Sequence, residues 1–132
     1  MRIEDVDVPH DLISIIDDDE SLRLATSSLL RSMGYITEFF ANAEDFLGSG
    51  DLSRFACVVA DIQMPGMSGI DLTHKLIAAN GQAKVVLMTA RTESDIHKRA
   101  RESGAVCLLQ KPFAADSLLK CVGKALEPEG ER

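Results

Sequence analysis

Five short runs of apolar, mostly β-branched residues recur along this chain, and between and after them the apolar residues fall at helical spacing. That alternation constrains the fold more than any other feature. The predicted strands are Leu12–Ile16, Tyr35–Phe40, Phe55–Ala60, Val85–Met88 and Val106–Leu109. Phe55–Ala60 shows no polar alternation, as expected of a strand covered on both faces. A first helix is predicted over Glu20–Met33, with the apolar residues Leu22, Ala25, Leu29 and Met33 at helical spacing and Gly34 ending it. Asn42 is placed to cap a short helix through Leu47, Ser68 to cap one carrying Ile70, Leu72, Leu76 and Ile77, and Thr92 to cap one running to Ser103. A last helix, Phe113–Leu126, turns Leu118, Leu119, Val122 and Leu126 inward, and Gly48-Ser49-Gly50, Asn80-Gly81 and Gly104 mark turns. Strands alternating with helices imply a parallel sheet with right-handed crossovers and helices on both faces, an α/β three-layer doubly wound domain. The expected strand order is 2-1-3-4-5, which makes the first and third strands neighbours.

Four of these runs end in polar residues. Asp17-Asp18 closes the first, Asp61 the third, Thr89 the fourth, and Lys111 follows the fifth. In a doubly wound sheet those ends meet at one edge, the edge where such sheets bind ligands. Three carboxylates gathered there repel one another unless a cation joins them, and a divalent metal together with the Lys111 ammonium brings the formal charge to zero. The set predicts a Mg²⁺ site beside a reactive carboxylate. Taken singly, each residue has a plainer reading: Asp17 and Asp18 favour the positive end of a helix dipole, Asp19 is a good N-cap, Asp61 forms turns, Thr89 is a β-branched strand end and Lys111 a solvated cation.

A length of 132 residues suits one domain with one core. The expected division is an N-terminal extension over 1–11, the domain over 12–126 and a tail over 127–132. A net charge of −7 argues against a nucleic-acid surface, and the one basic cluster, His97, Lys98, Arg99 and Arg101, reads as a solvated helix face. Cys57, Cys107 and Cys121 show no C-x-x-C spacing, and the expectation is three reduced thiols acting as small hydrophobes, hence a cytoplasmic location. No apolar run approaches membrane-spanning length and the first residues carry no signal-peptide core.

Several enzyme chemistries lack their motifs. Gly66-Met67-Ser68-Gly69 is not the G-x-S-x-G nucleophile elbow, and neither a P-loop nor a G-x-G-x-x-G follows any strand. His10, His74 and His97 have no zinc-ligand spacing.

The chain resembles the receiver domain of bacterial two-component response regulators, a flavodoxin-like fold. The likeness runs from Leu12 to Leu126 through Ile15-Ile16-Asp17-Asp18-Asp19-Glu20, Ala60-Asp61-Ile62-Gln63-Met64-Pro65-Gly66-Met67-Ser68-Gly69, Met88-Thr89-Ala90 and Gln110-Lys111-Pro112-Phe113. The Lys-Pro-Phe ending is similar to the nitrogen-fixation regulator branch.

The resemblance implies that Asp61 accepts a phosphoryl group from a phosphohistidine on a sensor histidine kinase or a phosphotransfer protein. It implies that Asp18 and Asp61 bind Mg²⁺ directly, Asp17 through water, and the Gln63 carbonyl as a further ligand. Lys111 and Thr89 would hold phosphoryl oxygens, with the small Ala90 leaving access and its N–H a third donor. Lys111-Pro112 would be a cis peptide. Gln63 and Arg91 flank the path of attacking water; Arg91 is long enough to cover the phosphoryl group, and a solvated role fits it equally. Such a domain is a phosphoacceptor switch rather than an enzyme with a separate substrate. Its partners would be a downstream protein target or an output domain, a dimer formed on phosphorylation being compatible, with no direct nucleic-acid or membrane contact. A pseudo-receiver that keeps the fold without the chemistry is the alternative, and the intact Asp18, Asp61, Thr89 and Lys111 favour the switch. A dehalogenase-class phosphatase would leave Asp61 unexplained. One departure from the family pattern stands out: many receivers carry Tyr or Phe three residues before the lysine, where this chain has Leu108, expected to pack between the fourth and fifth helices.

Overall fold

The computed structural model of the chain describes residues 11–80 and 83–127. Apart from Asp11 and Glu127, the expected N-terminal extension and C-terminal tail lie outside the described residues, as does Gly81 of the Asn80-Gly81 turn. Five strands, β1 (Leu12–Ile16), β2 (Ile36–Phe40), β3 (Cys57–Asp61), β4 (Val85–Thr89) and β5 (Cys107–Gln110), form one sheet. They pair in parallel in the order β2-β1-β3-β4-β5. The helices are α1 (Glu20–Ser32), α2 (Ala43–Leu47), α3 (Gly69–Asn80), α4 (Ser94–Glu102) and α5 (Ala115–Ala125), with a 3₁₀ turn at Leu52–Arg54 that the periodicity did not foretell.

Each strand sends alternate side chains to opposite faces, and this splits the core in two. Ile16, Val58, Ala60, Val85 and Leu87 pack with Phe46, Ile70, Leu72, Leu76 and Ala100 from α2, α3 and α4. Ile13, Ile15, Val59, Val86, Met88 and Leu109 pack with Leu30 of α1 and Leu118, Val122 and Ala125 of α5. β3 and β4 are buried along their whole length, as central parallel strands must be. Burying a side chain such as Leu87 or Leu118 contributes about 1.5–3 kcal/mol, and both are fully covered.

Several local expectations need correcting. The buried residues of α1 are Thr26, Ser27 and Leu30, with Leu29 half-buried beside them, whereas Ala25 is exposed and Met33 is 59% exposed. Small hydroxyl residues can face the sheet there because Ser27 and Thr37 share a 2.6 Å hydrogen bond. Thr92 does not cap α4: the N-cap position falls to Glu93, with no side-chain cap bond. Leu108 packs with the α2–α4 side of the core and not against α5, because it alternates with Leu109, which faces α5. The cysteines are not three free thiols. Cys107 on β5 and Cys121 on α5 are joined as a disulfide with their Cα atoms 5.8 Å apart, and Cys57 remains a buried free thiol.

Candidate functional site

The predicted strand ends do meet. β1 and β3 are neighbours, so Asp17, one residue past β1, and Asp61, the last of β3, stand side by side. Thr89 ends β4, and Lys111 directly follows β5, with its peptide to Pro112 cis. The Lys111 backbone N–H donates to the Thr89 carbonyl at 2.7 Å, fixing the place from which its side chain turns inward. Its ammonium donates to Asp17 Oδ2 and to Asp61 Oδ2, each at 3.0 Å. Asp17 is fully buried and Asp61 is 6% exposed, so this cation compensates two carboxylates that water barely reaches.

The remaining oxygens are held by backbone. Asp17 Oδ1 accepts from the Asp19 N–H at 2.9 Å, and Asp61 Oδ1 accepts from the Gln63 N–H at 3.2 Å. Arg23, one turn into α1, donates to the Asp17 carbonyl at 2.8 Å. Burial pushes the Asp61 carboxyl above its ordinary range against the pull of Lys111, with the charge of Asp17 adding to the rise. Burial opposes the Lys111 charge, but the hydrogen bonds to Asp17 and Asp61 outweigh it and hold the ammonium above its usual range.

Asp18 is exposed at the rim, and one oxygen from each of Asp17, Asp18 and Asp61 lies within 4.8 Å of the others. An all-carboxylate donor set of this kind suits a hard divalent cation; oxygens on opposite sides of Mg²⁺ stand about 4 Å apart, twice its bond length. The residues therefore fit such an ion.

Thr89 is fully buried, and its hydroxyl is not free: it donates to Gln63 Oε1 at 2.7 Å and accepts from the Arg91 N–H at 3.0 Å. The Arg91 side chain turns away from the carboxylates to Glu93, with contacts of 2.7–3.1 Å. Hydrogen bonding to Arg91 draws the Glu93 carboxyl down to about 2. In this structure Arg91 is exposed and paired with Glu93, and does not reach the Asp61 carboxylate.

Two features of the site had no sequence expectation. The Gln63 side chain latches Thr89, a contact between residues 26 apart that no local pattern could signal. Glu44, one residue into α2, reaches across to accept from the Met67 N–H at 2.9 Å. A Cβ on Gly66, whose φ is +80°, would stand 2.6 Å from that carboxylate. A Cβ on Gly69 would stand 2.5 Å from the Asp61 carbonyl oxygen, so the first residue of α3 must be glycine for the helix to start this close to β3. The glycines flanking Met67-Ser68 were the available clue.

A family model described as the response regulator receiver domain matches residues 13–123. The response regulator protein TodT of Pseudomonas putida is 34% identical over 116 residues, covering 88% of this chain and 51% of that protein. The transcriptional regulatory protein FixJ of Bradyrhizobium diazoefficiens is 34% identical over 114 residues, covering 86% of this chain and 56% of the relative. Its presence agrees with the likeness to nitrogen-fixation regulators. Among solved structures, the BeF3-activated DrrB receiver domain superposes with a TM-score of 0.82 at 28% identity, covering 91% of this chain and 100% of that one. FixJ-N superposes with a TM-score of 0.81 at 25% identity, covering 90% and 95%. The chain thus spans about half the length of the curated relatives it matches.

Proposed function

Since this chain belongs to the response regulator receiver domain family, we propose that Asp61 is its phosphoacceptor and that phosphorylation switches what the domain binds. The observation that carries the reading is a nearly buried carboxylate whose one cationic partner among the described residues is a lysine shared with Asp17. An Asp61 oxygen attacks the phosphorus of a phosphohistidine, the P–N bond breaks, and its electron pair returns to the imidazole, which takes up a proton from solvent. Asp18 and Asp61 would hold Mg²⁺ directly, with the Gln63 carbonyl as a further ligand. Asp17 would contact the ion through water. The ion supplies charge neutralisation for phosphoryl oxygens, as phosphoryl transfer requires.

Lys111 is then the group that follows the charge, because an acyl phosphate of about −1.5 to −2 outbids a single carboxylate for it. The Thr89 hydroxyl, now given to Gln63, would be redirected to a phosphoryl oxygen, with the Ala90 N–H beside it. Movement of Thr89 pulls on the 90–93 segment and α4, so the switched surface is the α4 side of the domain. The domain acts on its own carboxylate and on no separate substrate. The donor would be a histidine kinase or phosphotransfer protein in the cytoplasm, and the target a protein or an output domain; the described residues contain no helix long and apolar enough to cross a membrane. The receiver unit is assigned to residues 12–126.

The test is intact mass after incubation with acetyl phosphate and Mg²⁺. Wild type should gain one phosphate and Asp61→Asn none, with uptake lost on chelation. A wild type that gains nothing, from acetyl phosphate or from any phosphohistidine donor, would leave a phosphorylation-independent interaction domain.

A further inference from the structure

The proposed switch does not use the cysteines. Cys107 and Cys121 are 14 residues apart, and the chain between them is the segment that delivers Lys111 to Asp17 and Asp61. We propose that Cys107 and Cys121 form a reversible thiol–disulfide modification site, whose oxidised form ties β5 to α5 and stiffens the Lys111 segment between them.

Three observations support this. A Cα separation of 5.8 Å lies within the ~4.4–6.8 Å that a disulfide spans without backbone movement, so the fold already holds the two residues in bonding position. Both residues are half-buried, which leaves a path for a small thiol, whereas Cys57 is 1% exposed and burial pushes its thiol up to about 12. As free thiols the pair would sit in the same apolar layer as Leu109, Leu118 and Val122, where cysteine packs as a small hydrophobe, so the dithiol is also compatible with the fold.

The oxidant is a low-molecular-weight disulfide. One cysteine thiolate attacks it, forming a mixed disulfide and releasing one small thiolate. The second cysteine thiolate attacks the protein-bound sulfur, closing Cys107–Cys121 and releasing the other. The two protons lost by the cysteines end on the two released thiols, and reduction runs the same exchange backwards.

The full chain would be equilibrated in reduced and oxidised glutathione buffers, its free thiols alkylated, and its peptides weighed. The expected result is that Cys107 and Cys121 lose alkylation together as the buffer becomes oxidising, appear as one linked peptide, and recover on reduction, while Cys57 reacts only after unfolding. Amide hydrogen exchange across residues 110–114 should be several-fold slower in the oxidised wild type than in the reduced form, and equal in the two buffers for Cys121→Ser. Independent alkylation of the two cysteines, a persistent glutathione adduct in place of the linked peptide, or equal exchange in oxidised and reduced wild type would overturn the proposal. Should Cys121→Ser not fold, the wild type in the two buffers still decides. None of these readouts needs Asp61 to take up phosphate, so they stand or fall apart from the proposed function.

Discussion

Two loops leave the carboxylate site, and they are held very differently. The 62–68 segment, from β3 to α3, is pinned throughout. Ile62 donates to the Met88 carbonyl, Gly69 donates back to the Ile62 carbonyl, Glu44 anchors Met67, and Ser68 caps α3 through the Asp71 N–H at 3.0 Å. The 90–93 segment, from β4 to α4, has an N-cap with no cap bond. Its anchors are an exposed Arg91–Glu93 pair, the Arg91 N–H on the Thr89 hydroxyl, and the His97 ring on the Arg91 carbonyl at 2.8 Å. An exposed ion pair contributes little net stability. On the proposed function this difference would divide the labour: the first loop would keep Asp61 in place for phosphoryl uptake, and the second would be free to follow Thr89.

Breaking the pinned side should have the largest effect. Gly69→Ala sets a Cβ 2.5 Å from backbone that cannot swing away, so a loss near the upper end of the ~1–3 kcal/mol typical of overpacking is expected in urea melts, together with slower phosphate uptake by Asp61. A loss under about 0.5 kcal/mol would mean the first turn of α3 can slide. Ser68→Ala removes a working cap and should cost about 1 kcal/mol. At the start of α4 the matching change, Thr92→Ala, should stay within about 0.5 kcal/mol, because Thr92 caps nothing. Equal losses at the two helix starts would erase the contrast between the loops.

The last prediction is one of sign. Because the folded state raises the Asp61 carboxyl above its ordinary value of 3.8, the folded protein binds that proton more tightly than the unfolded chain does. The resulting penalty is absent below about 3.8 and complete above the raised value, so stability falls as pH rises between them. Asp61→Asn removes the penalty. It should raise the melting temperature at neutral pH, and the gain should shrink as pH falls through that window. A gain that grew on acidification would mean that the Lys111 contact outweighs burial.

The strand order, the meeting of Asp17, Asp61, Thr89 and Lys111, and the caps at Asp19, Asn42 and Ser68 were legible because each rests on a short-range signal: an apolar run, its polar end, or a hydroxyl or carboxylate before a helix. What escaped depends on tertiary placement. Ser27 and Thr37 satisfy each other only once β2 lies against α1, so their burial could not be read from hydropathy. Gln63 reaching Thr89, Glu44 reaching Met67 and Cys107 meeting Cys121 are likewise pairings across elements. The strand ends also drifted: β3 and β4 each run one residue past the expected stop, taking in Asp61 and Thr89, because the ladder does not end where hydrophobicity does.

The reach of Lys111 has a consequence for how the chain acquires its site. Its two contacts join residues 94 and 50 positions away, the longest-range side-chain hydrogen bonds among the described residues. Such pairings form late, since the entropy of closing long loops must be met before they contribute. Asp17 and Asp61 stand side by side once β1 pairs with β3, but the Lys111 ammonium reaches them only when β5 docks against β4. On the proposed function, competence would therefore be tied to completion of folding: a chain whose last strand has not docked would carry every acidic ligand and still lack the lysine that pairs with the acceptor.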